Sequence, residues 1–103
     1  MTPEEKTMIE SDLPKVMGYR GVILEEAIRC VCQDRNDQYG EPEDVFALIA
    51  SLWSVYLEHD ISAHDVGIMM ALLKIARIKD GRFKTDSYID AAGYIACAAE
   101  IAK

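Results

Sequence analysis

Asp86, Asp90 and Tyr94 recur at i, i+4 and i+8 near the end of the chain, a spacing that stacks three polar side chains along one face of a helix. Ile89, Ala92, Ile95, Ala96 and Ala99 fill the rest of that helix, so the stripe is an isolated polar feature. Two carboxylates one turn apart repel unless a cation, a basic side chain or water lies between them. One answer is Mg²⁺, because hard cations are commonly held by one or two carboxylates together with substrate phosphate oxygens. The other is structural: Asp86 caps the helix, and Asp90 pairs with Lys74 or Arg77.

Lys74 and Arg77 lie three apart on the preceding, mostly apolar helix, so both project to one side. If the two helices pack antiparallel, that side faces the acidic stripe. Charge is costly to bury unless it is paired, so the face is either wet or ion-paired. Wet, it is a phosphate pocket, with Arg77 gripping two oxygens and Lys74 acting as a point charge; dry, it is a structural network. Asp34, Arg35 and Tyr39, before Gly40, end another helix, and present side chains either into the mouth of a bundle or into solvent. His59 and His64 share no metal-like spacing. Cys30, Cys32 and Cys97 form no C-x-x-C and are odd in number, which points to reduced, mostly buried thiols.

The elements that must position these groups are helical. Thr2, Pro3, Glu4 and Glu5 make a good helix start, but Pro14 and Gly18 interrupt, so residues 1–20 read as a short helix and arm. Residues 21–103 form one helical domain. Ile23, Leu24, Ala27, Ile28 and Val31 give one apolar face from Val22 to about Gln33. Gly40 suits a turn of positive φ, and Pro42 opens a helix to about His59 that carries Phe46, Trp53 and Tyr56. Ser62 and Asp65 resemble a capping box before a helix to about Lys79, apolar nearly all round and hence expected to be the most buried. Asp80 and Gly81 end it, and Thr85 or Asp86 caps the last helix. No segment alternates as a strand does. The expected class is all-α: an antiparallel four-helix bundle with an N-terminal helical arm.

With 103 residues, half of them hydrophobic, the chain can bury one core and still have apolar faces left for subunit contacts, so an oligomer is expected. A formal charge of −7, with no run among eleven Lys and Arg residues, argues against binding nucleic-acid polymers. It does not argue against a small anion, which a few converging cations can hold. No stretch approaches the ~20 apolar residues of a membrane helix, and no export signal opens the chain, so the cytoplasm is the expected location.

The ordered set Asp34-Arg35-x-x-x-Tyr39-Gly40, Phe46, Trp53, Lys74-x-x-Arg77 and Asp86-x-x-x-Asp90-x-x-Gly93-Tyr94 resembles a family of small phage and prophage proteins of unassigned function. That family looks like a branch of the MazG-like all-α NTP pyrophosphatase superfamily. The likeness spans roughly Val22 to Ala99. It implies a MazG-like bundle, assembled as a homodimer or homotetramer in the host cytoplasm, that binds a small nucleotide. It further implies cleavage between the α and β phosphates by a metal-activated water, with Asp86 and Asp90 as catalytic Mg²⁺ ligands. Lys74 and Arg77 would clamp phosphates, while Tyr94 or Asp34 orients, with Arg35 and Tyr39 beside the substrate.

The chain departs from active MazG-type enzymes, which show a Glu-x-x-Glu and a Glu-x-x-Asp on separate helices. Here Glu25 and Glu26 are adjacent, and Glu41 and Asp44 fall at a helix start. The resemblance therefore implies binding more strongly than catalysis. Three functions follow: a Mg²⁺-dependent nucleotide pyrophosphohydrolase, a non-catalytic sponge that sequesters a host immune nucleotide signal, and a structural helical oligomer.

Overall fold

A computed structural model describes residues 18–34 and 40–103. Among them are four α-helices and no strand: α1 (Gly18–Arg29), continued by a π-helical turn at Cys30–Asp34, α2 (Pro42–Leu57), α3 (Ala63–Asp80) and α4 (Thr85–Ala102). None of these helices is long and apolar enough to cross a membrane. The all-α expectation therefore holds. Most of the 1–20 arm lies outside the described residues, and Gly18, which reads in sequence as an interruption, instead begins α1 with φ +67.

The helix signals behave as their chemistry dictates. Ser62 accepts a hydrogen bond from the Asp65 backbone N–H, and the Asp65 carboxylate accepts one from the Ser62 N–H, both at 3.0 Å. That reciprocal cap satisfies two N–H groups that the start of α3 would leave orphaned. Pro42 opens α2, and Gly40 has φ +87, as a turn of that hand requires. At the other end of α2, Glu58 takes a left-handed conformation and its N–H returns to the Ser54 carbonyl. The Ser54 hydroxyl also accepts from the Ile61 N–H at 2.8 Å, which ties the α2–α3 connection down.

Side-chain contacts fix the register. Lys74 meets Asp90, and Gly67 lies against Ala98, so α3 and α4 run antiparallel along their length. A Cβ at Gly67 would stand 2.9 Å from the Ala98 Cβ and 3.2 Å from its Cα, so the absence of a side chain lets the two backbones approach. Val31, on the π turn, comes as close to Gly93 on α4: a Cβ there would be 2.9 Å from Val31 Cγ1. Phe46 of α2 is buried and reaches both Gly67 and the Tyr94 ring, whose centroid is 6.1 Å away. With Ala50, Val66 and Cys97 it forms the core, against which Trp53 packs half-buried.

Two expectations change. α3 buries only Val66, Gly67 and Ala71, while Met69, Leu72, Leu73 and Ile75 stay 38–56% exposed. Its neighbours α4 and α2 cover one side of it, and nothing among the described residues covers the other. The cysteines, expected to be mostly buried, are not: Cys97 is buried, Cys30 half-buried and Cys32 exposed.

Candidate functional site

The short connection between α3 and α4 folds them into a helical hairpin, and its antiparallel register carries the basic pair onto the acidic stripe. Lys74 Nζ lies 3.0 Å from Asp90 Oδ2, with the two side chains 15% and 22% exposed. At that depth the attraction is less screened than on an open surface, and it offsets part of the cost of desolvating the two charges. Arg77 and Asp80 of α3 open onto the same groove, as do Arg82 and Lys84 from the connection and Asp86 and Ser87 from the start of α4.

Arg77, Arg82 and Lys84 form no ion pair with any described residue. Three cations unpaired among the described residues are thus gathered, beside Asp80, Asp86 and Asp90, on one groove of a chain whose formal charge is −7. Arg82 and Lys84 carried no signal as single residues. Their position between the helix bearing Lys74 and Arg77 and the helix bearing the two aspartates was the available clue, since a four-residue connection cannot leave the groove it closes.

Asp86 does not cap α4. Lys84 is the N-cap, without a side-chain bond, and the Thr85 hydroxyl is hydrogen-bonded to Tyr19 of α1. Asp86 sits exposed in the first turn, where its charge complements the helix dipole. Asp90 answers to the structural alternative in its pairing with Lys74, yet it also lines the groove.

Tyr94 is set apart from the basic groove. It lines a second, small hollow of about 60 Å³, partly open to solvent, whose walls include Val31, Phe46, Ile89, Gly93 and Cys97. Asp90 borders both hollows, so the stripe runs from a charged compartment at Asp86 to an apolar one at Tyr94. Asp34 ends the π turn; Arg35 and Tyr39 lie outside the described residues.

Among the described residues no three His, Cys, Asp or Glu side chains gather into an all-protein metal cage, so a Mg²⁺ ion at the aspartates would need phosphate oxygens and water as its further ligands. Of the two aspartates, Asp90 is already matched by an ammonium group and Asp86 faces solvent. What the groove offers is four cationic side chains among three carboxylates, next to an apolar hollow, an arrangement that can take an anionic group attached to a flat or apolar one.

Residues 22–102 match the model of DUF6378, a domain of unknown function. The chain is also 48% identical over 79 residues to the "Gene 55 protein" of Mycobacterium phage D29, a match covering 77% of this chain and 52% of that protein. To the "Gene 55 protein" of Mycobacterium phage L5 it is 36% identical over 73 residues, covering 70% and 47% respectively. The chain thus spans about half the length of these curated relatives. No solved structure matches it. The family match extends from α1 to the end of α4 and takes in both hollows, and on it this chain belongs to the DUF6378 family, which has relatives in mycobacteriophages.

Proposed function

We propose that this protein binds the phosphates of a small nucleotide in the α3–α4 groove and holds the ligand without cleaving it. The observation that carries this reading is the convergence of Arg77, Arg82 and Lys84, unpaired among the described residues, around the Lys74–Asp90 pair. The three cations are exposed and share the groove with Asp80, Asp86 and Asp90, and a phosphate can accept several of their N–H groups at once. The apolar hollow on the other side of Asp90, floored by Phe46 and Tyr94, has the surface that a nucleobase needs.

The resemblance to MazG-like proteins supports a nucleotide as the ligand. Holding is favoured over hydrolysis because Asp90 is already paired with Lys74 and the chain lacks the Glu-x-x-Glu and helical Glu-x-x-Asp pairs of active MazG-type enzymes. In a phage-infected cell, a protein of this kind would act as a sponge for a host nucleotide signal.

Incubation of the purified protein with inorganic tripolyphosphate and a panel of nucleotides, with and without Mg²⁺, tests the proposal. Calorimetry should show binding, and chromatography of ligand recovered after denaturation should show it unaltered. Release of pyrophosphate at a catalytic rate would overturn the non-hydrolytic reading, and no binding of any phosphate compound would overturn the whole.

A further inference from the structure

From Val45 to Leu57 α2 carries no charged residue. One side of it, with Phe46, Ala50 and half-buried Trp53, packs on the core. The other presents Leu48, Leu52, Val55 and Tyr56, which are 63%, 61%, 79% and 86% exposed. Leu48, Leu52 and Val55 are spaced 4 and 3 apart, the stagger with which one helix lays a seam of side chains against another. A helix that is apolar on both sides is normally covered on both.

We infer that the outer strip of α2 is the contact between two copies of this chain, paired antiparallel about a two-fold axis near Leu52. The strip is self-complementary: turned about Leu52 it sets only apolar side chains against apolar side chains, as a two-fold interface requires. Of its two hydroxyls, Ser51 Oγ donates to the Ala47 carbonyl at 3.1 Å, and the Tyr56 phenol lies toward the end of the strip, where its O–H can stay in water at the rim. Four large side chains this exposed present on the order of 500 Å². Two copies together would bury about 1,000 Å², the lower bound for a specific interface. The dimer is therefore a concentration-dependent one. Exposed acids flank the strip at Glu43, Asp44, Glu58 and Asp60, and antiparallel pairing brings the ends together. Added salt screens that repulsion and tightens the dimer, the reverse of an interface held by ion pairs.

Sedimentation of the full chain from low micromolar to several hundred micromolar tests this. The wild type should pass from monomer to dimer, at lower concentration in higher salt. Leu52→Lys opposes two like charges at the axis and should weaken association by roughly a hundredfold. Tyr56→Glu, at the most exposed position of the strip, should also dissociate it, with the helical circular-dichroism signal unchanged in both. Leu24→Lys, which adds a charge at an exposed leucine of α1, should leave the dimer intact. A wild type that stays monomeric throughout overturns the inference, as does a dimer that survives Leu52→Lys or dissociates equally in Leu24→Lys.

Discussion

Lys74 and Asp90 hold a 3.0 Å ion pair across α3 and α4 in the same antiparallel register that seats Gly67 on Ala98. The pair does two things at once. It ties the hairpin together near the α3–α4 connection, and it matches the charge of Asp90 with an ammonium group.

Lys74→Met leaves Asp90 largely enclosed without its partner and is expected to cost about 1–3 kcal/mol of stability. The double variant Lys74→Met with Asp90→Leu should recover most of that loss, because two apolar side chains of similar bulk remove both charges together. Urea unfolding of the two singles and the double measures the coupling; a double variant as unstable as the sum of the singles would show that the pair does not act as a unit.

Asp90→Asn separates the two roles suggested for this residue. If Asp90 only restrains Lys74, the substitution frees the ammonium and removes a negative charge, and tripolyphosphate should bind several-fold more tightly. Weaker binding in the presence of Mg²⁺ would instead mark Asp90 as a metal ligand. Arg77→Ala and Arg82→Ala should each weaken tripolyphosphate binding by roughly tenfold, with little change in melting temperature.

The cap of α3 sets part of the acid stability. Backbone and side-chain hydrogen bonds from Ser62 hold the Asp65 carboxyl below the usual aspartate range, helped slightly by His64 and His59, against a small opposing effect of burial. A carboxyl depressed in the folded state stabilises it above the unfolded value of about 3.9, and that contribution is lost as pH falls through the folded value. The stability difference between wild type and Asp65→Asn should therefore be largest near neutrality and close below about pH 4. Ser62→Ala should cost about 1 kcal/mol at neutral pH, read from thermal unfolding.

Gly67→Ala tests the close approach of α3 and α4. On an exposed helix the change gains up to about 1 kcal/mol. Here the new methyl would meet Ala98 at its Cβ and, 3.2 Å away, its Cα, and backbone cannot yield as a flexible side chain would. A net loss of about 1–2 kcal/mol is expected from denaturant titration; a stabilised variant would show that the helices separate freely.

The sequence by itself determined the helices and several of their ends, because those depend on local chemistry. Pro42 starts α2, the Ser62–Asp65 box starts α3, and Gly40 takes its positive φ, each from interactions within a few residues. It also placed Lys74 and Arg77 opposite the stripe, since a four-residue connection leaves antiparallel packing as the simple outcome. Only the tertiary structure decided what the stripe became. Asp90 took Lys74 and not Arg77, Asp86 gave up the cap, and Tyr94 turned to an apolar hollow with Phe46, because each outcome depends on where a distant helix stands. The same holds for Arg82 and Lys84: as residue types they are ordinary loop cations, and only the folding of α3 back on α4 gathers them on one groove.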